Sequence, residues 1–250
     1  SHEEVLELTA GGVMHEGLVS LVLGLNGMPA AGEEVMIGRD IALAEVTDGR
    51  LHVMHVSTAG GVALIRAAKA RGSRVTAEAC PHHFTLTDES LRGFDANFKM
   101  SPPLRTAADI DAIIAGLMDG TIDCIATDHA PHAREKKMLE LDRAPFGILG
   151  LETAVGLAVT RLVEPGRIGW PRLVEAMSTL PARILGINRG TLRPGALADI
   201  TLIDPALTWR VDAAAFASKS VNSPFHGWTL QGRAVATIVA GRVKYRLGRA

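Results

Sequence analysis

The stretch LHVMHVSTAGGVALIRAAKARGSRVTAEAC, residues 51–80, decides the fold. LHVMHV (51–56) is an apolar run of strand length, GGVALIRAAKARG (60–72) has helical apolar spacing and stops at Gly72, and RVTAEAC (74–80) reads as a second strand. A helix between two strands predicts a βα crossover and therefore parallel neighbours. The pattern repeats downstream, with a helix over TAADIDAIIAGLMDG (106–120) and a strand over IDCIAT (122–127). These strands are nearly continuous in apolar character, as strands covered on both faces are. Only about three are visible, and a closed barrel needs eight. Pattern alone therefore also fits an open doubly wound sheet.

Upstream, residues 30–46 carry helical spacing through Val35, Met36, Ile41, Leu43 and Ala44, with Gly49 as the stop. Residues 1–30 read as Gly-rich and irregular, apart from a short helix around 4–10. Downstream, a polar loop is expected from 128 to about 147, then helices over 151–162, 171–178 and 181–185. After Gly190 helical periodicity vanishes. ADITLIDP, TWRVD and WTLQGRAVATIVAGRVKYR are short and β-rich, so residues 193–250 are expected to form a small β-domain or an appended sheet.

Charge and composition narrow the function classes. With 26 basic and 27 acidic residues and a net charge of −1, nothing electrostatic points to nucleic acid or an anionic membrane as partner. The chain is 47% hydrophobic but only 4% aromatic, so its core must rely on Ala, Val, Leu and Ile. No apolar run reaches the roughly 18 residues of a membrane span, and the acidic opening SHEEVLEL does not read as a signal peptide. Cys80 and Cys124 both sit in apolar runs and read as small buried hydrophobes, a usage that fits the reducing cytoplasm.

Metal-capable side chains gather at the strand ends. His55 ends LHVMHV, and Asp128 ends IDCIAT and opens TDHAPH. Ligands of parallel α/β proteins bind beyond the carboxyl ends of the strands, so these two are placed to meet. A lone His after a strand is more often structural. Asp128, His129 and His132 together are harder to explain by solubility. His52 lies at odd spacing from His55 and should face the other side of the strand. His82 and His83 read as packing or supporting residues, His15 and His226 carry no local signal, and Glu135, Lys136 and Lys137 read as a solvated loop tip. Imidazole with carboxylate suits zinc. From the residues alone the reading stops at a metal-assisted hydrolase with part of its ligand set out of sight.

HVSTAGGVALIRAAKARGSRVTAEACPHHFTLTDE (55–89), FKMSPPLR (98–105), DCIATDHAPH (123–132), APFGILGLET (144–153) and NSPFHGWTLQGRAVATIVAGRVKY (222–245), in that order, closely resemble class I bacterial dihydroorotases. The opening GGVMHEGLVS and GMPAAGEEVMIGRDIALA fit as well, so the resemblance covers essentially the whole chain. It implies an α/β fold, the C-terminal half of a (β/α)₈ TIM-type barrel from about strand 5 onward, with part of a small β-sandwich at the C-terminus. Residues 1–192 would supply barrel strands 5–8 and their helices, and 193–250 part of the composite sandwich. It implies one or two zinc ions, with His2, His55 and Asp128 as ligands and Asp128 also as the proton shuttle. Ser101, His132 and the segment Ala144, Pro145, Phe146 and Gly147 are the implied substrate contacts. The implied reaction is reversible hydrolysis of L-dihydroorotate to N-carbamoyl-L-aspartate in pyrimidine biosynthesis. The implied partners are that small molecule and either a second copy of the chain or aspartate transcarbamoylase.

Two departures stand out. Ser101 occupies the place of a substrate-touching Asn, a shorter side chain that can still donate and accept a hydrogen bond. The family's His-x-His pair, its neighbouring Arg, an upstream Asn and the metal-bridging carboxylate are missing, all from the half that precedes His2. The chain is thus expected to be a C-terminal fragment, inactive by itself. The rival readings are a sister cyclic amidase, such as an allantoinase or dihydropyrimidinase, and a dihydroorotase-like scaffold without catalysis. PPLR, TDHAPH and APFG together favour dihydroorotase over the sister amidases, and the intact His2, His55 and Asp128 argue for catalysis.

Overall fold

The computed structural model describes residues 1–248. Its centre is a parallel three-stranded sheet in the order β3 (Leu51–Val53), β4 (Val75–Ala79), β5 (Cys124–Ile125). The registers Leu51 with Val75 and Glu78 with Cys124 confirm the crossover pattern. Residue 1 extends this sheet past β3, since the Ser1 amine donates to the His52 carbonyl at 2.6 Å and the Met54 amide to the Ser1 carbonyl at 3.0 Å. His2 is thereby carried to the same end of the sheet as His55.

Upstream of β3 stand α1 (Leu6–Thr9), β1 (Met14–His15), α2 (Leu18–Leu23), β2 (Gly27–Met28) and α3 (Ala30–Thr47). The first 30 residues are thus more regular than the sequence suggests, because β1 and β2 pair in parallel and α2 crosses between them. Two-residue strands are too short to show a period. The crossover helices are α4 (Ala59–Ala70) and α5 (Ala107–Asp119). α5 begins where its sequence says it should: Thr106 and Asp109 exchange hydrogen bonds in a capping box.

The main core lies between these helices and one face of the sheet. Val75, Ala77 and Ala79 of β4 are buried there with Val62, Ile65 and Ile113. The opposite face is polar rather than apolar. Thr76 and Glu78 alternate onto it, half-buried, and bind the His52 ring at 2.8 and 3.0 Å.

The 128–147 segment contains a helical turn, α6 (Arg134–Lys137), and α7 (Ala154–Ala158) follows it, continuing as a π-helical turn over Val159–Val163. The two helices expected over 171–185 are one continuous run: α8 (Trp170–Val174), a π turn (Glu175–Thr179) and α9 (Leu180–Ile184). The C-terminal segment forms an antiparallel sheet of β6 (Ile200–Arg210), β7 (Thr229–Val239) and β8 (Arg242–Arg246). It packs against α7 at Gly156, where a Cβ would stand 3.0–3.1 Å from Leu230 and Trp209. The connection between β6 and β7 folds back: Phe225 is buried with Leu104, Ile148 and Leu157, and the Leu149 amide donates to the Asn222 carbonyl at 3.1 Å. No described helix is long and apolar enough to cross a membrane.

Candidate active site

β3 ends at Val53, short of the expected 56, and His55 follows with φ 34. Asp128, three residues past β5, has φ 43. Both are non-glycine residues in the left-handed region at strand carboxyl ends, the kind of strain that collects at functional sites. The alternation that separates His52 from His55 therefore does not govern His55, because the backbone leaves the strand before it.

His2 Nδ1 and His55 Nε2 lie 2.9 Å apart, with the rings edge to face. Glu4 Oε2 accepts from His2 Nε2 at 3.2 Å, which leaves Nδ1 as the lone pair turned toward His55. A ligand imidazole commonly has such an orienting carboxylate on its far nitrogen. His55 is buried, and burial first, then the neighbouring His2, lowers its pKa against the opposing pull of Asp128 and Glu78. A neutral imidazole is the form that binds a metal. Two nitrogens aimed at each other, one oriented from behind and the other kept neutral, fit a shared cation.

Asp128 is exposed, two strands across from His55, and its carboxylate acts on His55 electrostatically. Ser101 lines a small cleft with His2, Glu4 and Arg105. Behind this cleft the Arg105 guanidinium is buried, donating to the Met28 carbonyl at 2.7 Å and Ser57 Oγ at 3.1 Å. Glu33 accepts from the backbone amides of Ser57 and Thr58 at 2.9 and 3.1 Å. This network pins the turn just after His55.

The remaining candidates gather elsewhere in the same loop region. His132 Nε2 donates to the Phe146 carbonyl at 2.7 Å. Gly147 has φ 141, and a Cβ there would stand 2.8 Å from the His132 ring and from Ala130. Asn222 ties the two segments together: it accepts from the His132 amide at 3.1 Å and donates to the Ala130 and Gly147 carbonyls at 2.9 and 3.1 Å. Lys137, expected at a solvated tip, is buried and donates to the Pro145 and Gly147 carbonyls at 2.9 and 3.1 Å. Burial, then repulsion from Lys99, pushes its pKa down to about 8. Lys99 also lies over the Phe146 ring, 4.5 Å from its centroid. His129, grouped by sequence with the functional cluster, instead accepts from the amides of Gly150 and Leu151 at 3.1 and 3.3 Å and braces the entry to α7.

The amidohydrolase family matches residues 3–244. The chain belongs to that family. This amidohydrolase is 61% identical over 243 residues to a dihydroorotase from Pelotomaculum thermopropionicum, covering 97% of the chain and 57% of the relative. It is 56% identical to a dihydroorotase from Geobacter metallireducens, covering 98% and 58%. Among solved structures it resembles a dihydropyrimidinase from Brevibacillus agri, with TM-score 0.86, 26% identity and coverage of 98% of this chain and 56% of that one. An L-hydantoinase from Arthrobacter aurescens gives TM-score 0.85 at 34% identity, over 89% of this chain and 51% of that one. The chain thus has an α/β amidohydrolase fold and spans somewhat more than half the length of these relatives. Glu4, Asn222 and Lys137 were not legible as site residues. Glu4 has the only local clue, its nearness to His2.

Proposed function

We propose that this chain supplies the C-terminal half of a dihydroorotase barrel, strands 5–8 with part of a small sandwich, to a zinc-dependent enzyme. That enzyme would interconvert L-dihydroorotate and N-carbamoyl-L-aspartate. The supporting observation is the facing pair His2 Nδ1 and His55 Nε2, 2.9 Å apart at the carboxyl end of a parallel sheet that also carries Asp128. The identity of 61% to a dihydroorotase, against 26–34% to the hydantoinase-type structures, favours this substrate over the sister amidases.

In this reading His2 and His55 would hold zinc, and Asp128, which does not group with them within ligand distance in the isolated chain, would close in as a further ligand in the complete site. Zinc held there would supply Lewis-acid chemistry, polarising a carbonyl and lowering the pKa of a water. Asp128, at an exposed strand end, takes the proton of the attacking water and returns it to the departing ring nitrogen. In the synthetic direction it runs the same transfers backwards. His132 and the 144–147 segment hold the pyrimidine ring, with the latch of Asn222 and Lys137 fixing their spacing, and Ser101 offers one hydroxyl to the substrate.

The test joins this chain to the upstream portion of the P. thermopropionicum relative and assays dihydroorotate, hydantoin, dihydrouracil and allantoin hydrolysis. Dihydroorotate should be the preferred substrate, and Asp128→Asn should lower turnover by about 10²-fold or more. Preference for another ring, or near-normal turnover in the variant, contradicts the reading.

A further inference from the structure

The middle strand of the parallel sheet, β4, runs into a cluster that the proposed reaction does not use. Cys80, His82 and His83 are all buried, and one potential ligand atom from each lies within 4.8 Å of the others. The tautomer of His83 is fixed by the Pro102 carbonyl, which accepts from Nε2 at 2.9 Å and leaves Nδ1 as a bare lone pair. That Nδ1 is buried without a hydrogen-bond partner, and so is His82 Nε2. Buried polar atoms in packed proteins are nearly always satisfied, so two orphan nitrogens on adjacent residues call for an explanation. A ring N–H given to a backbone carbonyl, with the opposite nitrogen left free, is how metal-bound imidazoles are commonly held. Burial keeps both rings neutral, so the lone pairs are available, while the same burial and the charges of Asp128 and Glu78 hold the Cys80 thiol protonated until a cation displaces its proton.

We propose that Cys80, His82 and His83 form a second metal site, one that takes a single thiophilic cation of the zinc or copper(I) class through one thiolate and two imidazoles. Sulfur and imidazole together select such cations over magnesium or calcium. Ligand atoms of a four-coordinate zinc stand about 3.5 Å apart, so the three side chains need to draw in by roughly an ångström. Binding replaces the Cys80 S–H bond by a sulfur–metal bond and releases the proton to solvent, with no oxidation or reduction. Neither His2, His55 nor Asp128 contributes a ligand, so removing the two histidines leaves all three donors of this site in place.

Cobalt(II) titration of the purified 250-residue chain tests this. The His2→Ala/His55→Ala variant should still bind one equivalent and show a near-ultraviolet thiolate-to-cobalt charge-transfer band. That band should persist in Cys124→Ser and vanish in Cys80→Ser. Absence of the band, or its survival at full intensity in Cys80→Ser, overturns the site. If Cys80→Ser fails to fold, zinc-edge X-ray absorption of the His2→Ala/His55→Ala chain decides the matter. One sulfur with two imidazoles in the first shell supports the site, and a shell of nitrogen and oxygen alone overturns it.

Discussion

Gly147 is held in a conformation open to few other residues, with the His132 ring and Ala130 within 2.8 Å of where a Cβ would go. Gly147→Ala should destabilise the fold by about 1–3 kcal/mol, the usual size of such strain. Urea denaturation measures this, and an unmoved midpoint would show that the loop is not held as described. Lys137 gives a pH signature. Its pKa of about 8 in the folded chain lies below the roughly 10.4 of an unfolded lysine. Between those values the unfolded chain keeps a proton that the folded chain has shed, so stability should rise with pH across the window. Below about pH 8 both states are protonated, and the folded chain carries a buried ammonium. The stability difference between wild type and Lys137→Met should therefore move in favour of wild type from about pH 8 to about pH 10. A difference that stays flat contradicts this. Lys137 was not legible because REKK is a charge run that reads as solvated. What buries it is a pair of carbonyls 8 and 10 residues further along the chain, which no local pattern shows.

The long periodic elements were the legible ones. The helix expected over 30–46 is Ala30–Thr47, and the one expected over 106–120 is Ala107–Asp119, bounded by its capping box. Their apolar spacing persists for several turns, and their ends carry the residues that helix termini need. β3 was expected to run to 56, because LHVMHV is uniformly strand-like, but the backbone turns left-handed at His55. Propensity cannot register a turn that Glu33 and Arg105 enforce from outside the segment. The strap of residues between Asp128 and Gly147 depends on Asn222, which enters from the connection between β6 and β7. Asn222→Ala leaves the His132 amide and the Ala130 carbonyl without that partner. It should lower stability by about 1–3 kcal/mol. In the joined enzyme it should raise KM for dihydroorotate more than it lowers kcat. An unchanged KM would detach this latch from substrate binding.

At the scale of the molecule, parallel sheet, crossover helices and antiparallel C-terminal sheet all follow from the change of periodicity along the chain. The facing of His2 and His55 does not, because 53 residues separate them and only the pairing of residue 1 with β3 brings them together. Only the family resemblance puts His2 and His55 in one ligand set, because local pattern does not reach across that separation. Zinc-edge anomalous diffraction from crystals of the joined enzyme tests the central claim, that these two imidazoles share a metal. A zinc peak about 2.0–2.1 Å from both His2 Nδ1 and His55 Nε2, lost in His55→Ala, is the expected result. No peak between those nitrogens, or one that persists unchanged in His55→Ala, contradicts the claim.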